Sequence, residues 1–279
     1  MTVSVIVPAH NEERTISRLL GALADGVVSG ELEVIVVCNG CTDGTADAAR
    51  RAMPQAVVVE SLVPSKASAQ CDGDELASSF PRLYVDADVV VDTASIRLMA
   101  AALADTGILA CAPERRMDRT GTNALVRWYY DVWEELPQVR DGLFGRGVLM
   151  VSREGYGRIR SLPPAMSDDL VMSEAFTPDE RLVVPGASVT IRTPRSIGDL
   201  LRRRIRVVTG NAQAESGGLR GDSAKTSVGS LMALARHDRG IALRIPVFLA
   251  VTLVARSRAA RLVRRGDYTT WLRDESSRN

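Results

Sequence analysis

The sequence predicts an α/β protein: a doubly wound, mostly parallel sheet flanked by helices, followed by a C-terminal helical extension. Three observations point there. Short apolar runs alternate with amphipathic stretches of about ten residues across the first hundred positions. The runs are apolar throughout rather than alternating, as strands covered on both faces are. Polar, glycine-bearing or acidic residues cluster where the runs end, the edge at which open α/β sheets bind ligands.

In chain order, residues 3–7 read as the first strand, and 12–23 as a helix with Ile16, Leu19, Leu20 and Leu23 on one face. Residues 32–38 are the second strand, 45–53 the second helix, 56–60 the third strand and 66–79 a weak helix. The fourth strand is 82–85, and a helix follows at 93–103, capped by Asp92. Beyond Gly107 the regular alternation breaks. Strands are expected at 108–112, 144–151, 181–184 and 188–191, with helices at 123–135, 168–176 and 197–208. Residues 211–227, rich in Gly, Ser and Ala, read as a mobile connection before helices at 228–238 and 241–265.

With 46% hydrophobic residues the chain can bury one large core. Its formal charge is +1, but 1–194 holds 18 basic and 27 acidic residues while 195–279 holds 17 and 7. The C-terminal part is therefore a cationic surface suited to an anion. The N-terminus shows no charged segment followed by an apolar stretch and cleavage site, so a cytoplasmic location is expected. Cys38, Cys41, Cys71 and Cys111 are expected to be reduced, because disulfide frameworks belong to short exported chains. The longest apolar run, 245–255, covers 11 residues and contains Pro246, whereas a bilayer-crossing helix needs about 20. Flanked by Arg244, Arg256, Arg258, Arg261, Arg264 and Arg265, segment 241–265 reads as a peripheral membrane contact or as a core-packed helix with solvated arginines.

The residues that carry chemistry fall at strand ends. Leu-Tyr-Val-Asp-Ala-Asp at 83–88 delivers Asp86 and Asp88 to the end of a buried strand, with Ala87 between them. In extended backbone, residues two apart share a face, so both carboxylates address one ion, and paired oxygens suit a hard divalent cation gripping phosphates. The first strand ends in Pro8, Ala9, His10, Asn11 and Glu12, where a turn into a helix offers N–H groups to a phosphate or base, or simply caps the helix. Asn39 ends the second strand and has both a donor and an acceptor for a nucleobase edge, while Asp43 caps the next helix. Cys38 and Cys41 form a CxxC, but without a second CxxC and with two histidines in the chain a zinc site lacks ligands. Lys66, after the third strand, has the reach to meet a diphosphate. Asp168 and Asp169 form a second acidic pair, read as holding a general base or as first-turn acids favoured by the helix dipole. Arg202 and Arg206, four apart with Arg203 beside them, form a cluster able to hold a diphosphate.

Taken together, Val-Pro-Ala-His-Asn-Glu-Glu at 7–13, Asn-Gly-Cys-Thr-Asp-Gly-Thr at 39–45, Tyr-Val-Asp-Ala-Asp at 84–88, Asp-Asp at 168–169 and Arg-Arg-Ile-Arg with a following glycine at 203–210 resemble the family 2 glycosyltransferases, inverting enzymes of the GT-A fold. The resemblance covers about 210 residues in family order. It implies a nucleotide-sugar donor, Mg2+ or Mn2+ held at Asp86 and Asp88, and a catalytic base at Asp169. It further implies that the 8–12 loop, Asn39, Lys66 and Asp86 contact the nucleotide, with Arg203 and Arg206 near the diphosphate. On this reading residues 1–110 bind the donor, 111–210 bind the acceptor and carry catalysis, and 211–279 form a connection and helices. The acceptor is a carbohydrate or lipid-linked hydroxyl, and no nucleic-acid partner is expected.

Two departures matter. The family's second loop often carries two aspartates where this chain has Cys38 and Asn39, so the resemblance leaves the base of the donor open among UDP, GDP and dTDP. Arg203 and Val207 replace the Gln and Trp of the Gln-X-X-Arg-Trp segment of long processive members, so processive polymerisation is not expected. Two other classes compete. A sugar-phosphate nucleotidylyltransferase needs a glycine-rich triphosphate loop after the first strand, which Pro8-Ala9-His10-Asn11 is not. A non-catalytic nucleotide-sugar sensor docked on membranes would have no use for acidic residues at 86, 88 and 169.

Overall fold

Every position of β1 (Val3–Ala9) is buried, the pattern of a central strand covered on both faces. The structure, a computed structural model, describes residues 1–163, 165–219 and 226–265. After β1 the Glu12 carbonyl accepts the Thr15 and Ile16 N–H groups, so the first helical turn expected from position 12 is a separate turn. Helix α1 (Ile16–Ala24) then buries Ile16, Leu19, Leu20 and Leu23, the 3.6-residue stripe that packs a helix on a sheet. The alternation continues through β2 (Leu32–Asn39), α2 (Thr45–Ala52), β3 (Val57–Ser61), α3 (Lys66–Leu76) and β4 (Arg82–Val85). Ser65 caps α3 by accepting the Ser68 N–H at 3.2 Å.

The second part of the sheet comes from β5 (Val90–Val91), β6 (Ala110–Asp118), β7 (Val148–Val151) and β8 (Arg181–Arg192). Helix α4 (Thr93–Thr106) lies between β5 and β6, capped by Asp92 as expected, through the Ser95 N–H at 2.7 Å. The helices α5 (Ala124–Glu134), α6 (Pro137–Asp141), α7 (Arg153–Arg160), α8 (Asp168–Glu174), α9 (Ile197–Ser216), α10 (Val228–His237) and α11 (Arg239–Arg264) complete the described chain.

Strand order is β3-β2-β1-β4-β7-β6-β8-β5. β1 runs parallel to β2 and β4, and β2 parallel to β3. β7 is antiparallel to β4 and β6, and β5 to β8. Order runs outward from β1 to β3 on one side and passes to β4 on the other, a switch that opens a crevice at the carboxyl ends of β1 and β4.

Two compact units divide the chain. The first, Met1–Met117, Arg146–Leu162 and Phe176–Ile191, holds the sheet and its core of Val5, Val7, Leu19, Leu20, Val36, Leu83, Ile96 and Met99. The second, Asp118–Gly145, Pro163–Ala175 and Arg192–Asn279, is mainly helical in its described residues. There α11 packs against α5 and α9, with Phe248 stacked on Tyr129 at 5.1 Å and Ala255 and Ala259 packed with Ile205. Of the aromatic residues on α5, Tyr129 and Tyr130 are thereby core, while Trp128 is exposed.

Several elements depart from expectation. The strand expected from 144 starts at Val148, because Gly145 and Gly147 sit at φ +68° and +65°, a left-handed conformation outside the strand region. Two expected strands at 181–191 are one, carried through Gly186 at φ +82°. Helix α9 runs to Ser216, so the first part of the expected connection is helical; positions 220–225 of it lie outside the described residues. Helix α11 continues through Pro246 for 26 residues, and by length and composition it is long and apolar enough to cross a membrane. The helix falls where it was expected, at 241–265 within two residues at its start, while its longest uncharged run remains the 11 residues 245–255. Only 22% of its most apolar window is buried.

Candidate active site

The carboxyl ends of β1, β2 and β4 bring Pro8, Ala9, His10, Asn11, Glu12, Asn39, Asp86, Ala87 and Asp88 to one edge of the first unit, joined by Lys66 from the first turn of α3. Pro8 and Ala9 are buried within β1. His10 Nδ1 lies 2.5 Å from the Asn39 carbonyl oxygen, and the Asn39 side-chain amide donates to the Ala9 carbonyl at 3.0 Å. Asn39 is buried, so its side chain ties the ends of β1 and β2 together. Asn11 takes φ +52°, which Asn tolerates better than most residues. From there its Oδ1 accepts the Thr42 N–H at 2.8 Å. Glu12 is buried too; its backbone N–H donates to Thr45 Oγ1 at 2.8 Å and its carboxylate accepts from Thr15 Oγ1 at 2.6 Å.

The CxxC is a packing device. All four cysteines are free thiols. Cys41 Sγ accepts from the Asn11 N–H and donates to the Ala9 carbonyl, both at 3.4 Å. Burial, with Cys41 as a second cause, pushes the Cys38 thiol up to about 12. Gly40 takes φ +57°, and a Cβ there would sit 2.7 Å from Pro64 Cβ, so only glycine closes this loop against residue 64.

β4 ends at Val85, and Asp86, Ala87 and Asp88 lie in a turn where the Val89 N–H donates to the Asp86 carbonyl at 3.3 Å. The extended-strand argument for a shared face therefore does not apply. The Asp86 backbone N–H donates to the Gly147 carbonyl at 2.8 Å, and Lys66 Nζ pairs with Asp86 Oδ1 at 2.7 Å. Both side chains are about a third exposed, so the pair adds little to stability and remains accessible to ligand.

For a divalent cation, Asp86 and Asp88 offer two hard carboxylates. Among the described residues no group of three or more His, Cys, Asp or Glu gathers to form a protein-only cage. Two carboxylates with the remaining positions left to phosphate oxygens and water is how Mg2+ and Mn2+ are commonly held, so the residues fit such an ion.

In the second unit, Asp169 lies in the first turn of α8, a position that favours carboxylates. Its Oδ2 accepts the Gly145 N–H at 2.7 Å and its Oδ1 accepts the Leu170 N–H at 2.8 Å, which fixes the carboxylate's orientation. Ser167 precedes the helix but makes no side-chain cap; its hydroxyl meets Asn211 Oδ1 at 3.2 Å. A Cβ on Gly210 would fall 2.3 Å from Ser167 Oγ, so α9 touches the acidic-pair loop where it has no side chain. Arg203 and Arg206 precede Gly210 by seven and four residues and therefore share that face of α9. Arg202 is committed to Asp199 instead. The sequence reading missed Gly145, Gly147, Asn211 and Gln213, whose Oε1 accepts the Met166 N–H at 3.0 Å. The Gly-Arg-Gly run was the only available signal for the first two.

Fold and site together define a glycosyltransferase, an α/β enzyme that presents polar and acidic groups at a sheet switch point. The chain belongs to the family described as glycosyl transferase family 2, whose model matches residues 4–152. Among curated proteins none matches it. Among solved structures, it is similar to the mannosyltransferase PcManGT from Pyrobaculum calidifontis in complex with GDP-Man and Mn2+, at 21% identity and TM-score 0.62 over 99% of this chain and 84% of that one. It is also similar to glucosyl-3-phosphoglycerate synthase from Mycobacterium tuberculosis in complex with Mn2+ and UDP-glucose, at 21% identity and TM-score 0.55 over 76% and 78%. The same enzyme in complex with phosphoglyceric acid gives 20% identity and TM-score 0.53 over 76% and 79%. At these identities the likeness is one of fold, and it places this chain among GT-A structures.

Proposed function

We propose that this enzyme is an inverting glycosyltransferase that moves a sugar from a nucleotide-diphosphate sugar, a UDP-sugar in our reading, to an acceptor hydroxyl on a carbohydrate or a lipid-linked molecule. The observation that carries it is the Lys66–Asp86 pair beside Asp88 at the carboxyl end of β4, next to the β1 switch point. Residues 1–110 bind the donor: the 8–12 loop and Asn39 shape the base pocket, and Lys66 reaches the diphosphate. Asp86 and Asp88 would hold Mg2+ or Mn2+, which offsets negative charge on the diphosphate. Two of the similar proteins were solved with Mn2+ and a nucleotide sugar, which supports this assignment.

Asp169 takes the proton from the acceptor hydroxyl as its oxygen attacks the anomeric carbon and the bond to the diphosphate breaks on the opposite side. Its two N–H partners hold one carboxylate orientation, which suits a base that must meet a hydroxyl in a single geometry. Arg203 and Arg206 balance the charge of the departing diphosphate. The working location is the cytoplasm. The test is a thermal-shift screen of UDP-, GDP- and dTDP-sugars with Mn2+ or Mg2+. Selective, metal-dependent stabilisation by one sugar nucleotide is expected, and none by any would sink the proposal.

A further inference from the structure

Helix α11 buries one face and exposes the other in an unusual order. Ile241, Phe248, Val251, Ala255 and Ala259 are buried, and Arg244 on the flank of that face pairs with Asp131 of α5 at 2.8 Å. The opposite face carries Leu243, Pro246, Leu249, Ala250, Leu253 and Val254 in steps of one and three residues. Leu243 is 79% and Leu253 63% exposed, a large apolar stripe for a surface that meets only water. Past Val254 the same face turns cationic, with Arg256, Arg261 and Arg264 exposed beside Arg258 and Arg265. Across 239–265 there are seven arginines and no acidic residue. Among the described residues Arg256, Arg258, Arg261 and Arg265 meet no carboxylate. Helix α10 adds two more exposed apolar side chains, Val228 at 69% and Met232 at 54%.

We propose that α11 lies flat on an anionic lipid surface, its leucine stripe among the acyl chains and its C-terminal arginines on headgroup phosphates. A spanning orientation would strip α11 from α5 and α9, exposing Phe248 and Ala255 and abandoning the Arg244–Asp131 pair. It would also draw arginines at both ends of an 11-residue uncharged run toward the bilayer centre, where they are costly. A second copy of the chain fits less well, because a two-fold contact would set one arginine-bearing face against another with no acid on α11 to answer it. An apolar stripe continued by arginines is the pattern of helices that rest in the interface plane.

The experiment is co-sedimentation of the full chain with vesicles of phosphatidylcholine and phosphatidylglycerol, against vesicles of phosphatidylcholine alone. Wild type should sediment with the anionic vesicles and be partly released by salt. The double variant Leu243→Glu, Leu253→Glu should lose about tenfold or more per leucine, since each forfeits the burial of one side chain. Arg261→Gln with Arg264→Gln should lose about fivefold per arginine on anionic vesicles only. These positions are exposed, so circular dichroism and nucleotide-sugar binding should match wild type. A chain that binds nucleotide sugar yet ignores anionic vesicles overturns this proposal and leaves the transferase reading standing. Equal binding to both vesicle types, extraction only by detergent, or a wild-type dimer that the leucine variant dissociates would each overturn it as well.

Discussion

Gly147 offers the sharpest test of how the donor site is built. At φ +65° any side chain is strained, and a Cβ would lie 2.8 Å from Val89 Cγ1, 3.1 Å from Asp86 Oδ2 and 3.3 Å from Asp86 Cβ. Gly107, the last residue before β6 to adopt such a conformation, has φ +72° and nothing within 4 Å of its virtual Cβ. Gly107→Ala therefore measures backbone strain alone, about 1–2 kcal/mol. Gly147→Ala should cost the same plus overpacking against residue 89, about 1–3 kcal/mol more. It should also push the Asp86 carboxylate off its pairing with Lys66 and weaken nucleotide-sugar binding about tenfold or more, whereas Gly107→Ala leaves binding unchanged. Urea denaturation supplies the first comparison and calorimetric titration with Mn2+ and a sugar nucleotide the second. Equal stability of the two variants would refute the crowding, and wild-type affinity in Gly147→Ala would remove Asp86 from the donor site.

Asp169→Asn should lower turnover by about 10²–10⁴ while donor affinity in calorimetry stays near wild type; undiminished turnover would exclude Asp169 as the base. Lys66→Met should change unfolding free energy by less than about 1 kcal/mol, because its pair with Asp86 is partly exposed. It should weaken diphosphate binding by about 1.5–3 kcal/mol, and unchanged binding would argue that Lys66 serves only the protein surface. Arg158 first and the Thr177 N–H second hold the Glu180 carboxyl down to about 2, and Arg97 first and the Val28 N–H second do so for Glu31. Carboxyls lowered on folding add stability that is complete above their ordinary 4.5 and is lost as pH falls toward 2. Acid titration of stability should therefore be steeper in wild type than in Arg158→Gln with Arg97→Gln, and the difference should shrink with salt; parallel curves would contradict the assignment. Asn39→Asp should destabilise by roughly 1–3 kcal/mol at pH 7 and by less near pH 4, because a buried carboxylate would face the Ala9 carbonyl that Asn39 now serves.

The elements legible in the sequence were those whose burial is uniform or strictly periodic. β1 is buried at all seven positions and α1 along a clean stripe; β1 starts where expected and runs two residues further, and α1 keeps the expected stripe Ile16, Leu19, Leu20 and Leu23 although it starts four residues later. Asp92 acts as the expected cap because its side chain satisfies a first amide of its helix, chemistry visible in residue type alone; Asn123, expected inside the next helix, caps it instead. What escaped depends on backbone conformation or on distant partners. No local pattern separates a strand starting at 144 from one starting at 148 until the φ values of Gly145 and Gly147 are known. Helix α9 passes its expected end because Gly210 and Thr209 are buried, with Gly210 held against Ser167, more than forty residues earlier in the chain.

The second loop shows how a departure from a family pattern is absorbed. Where relatives often place two carboxylates, this chain has a buried thiol whose proton is held by burial and a buried amide bonded to Ala9. An aspartate at 38 would be a buried charge and one at 39 would face the Ala9 carbonyl oxygen, costs that a neutral Cys38 and Asn39 avoid. Cys41 bonds both Asn11 and Ala9, which ties the loop after β2 to the end of β1. On the proposal that the 8–12 loop and Asn39 shape the donor's base pocket, the neutral Cys38 and the engaged Asn39 amide would leave much of the selection among bases to backbone groups of these turns. Donor choice should accordingly respond more to loop conformation, as at Gly40 with its close approach to Pro64, than to exchange of any single polar side chain.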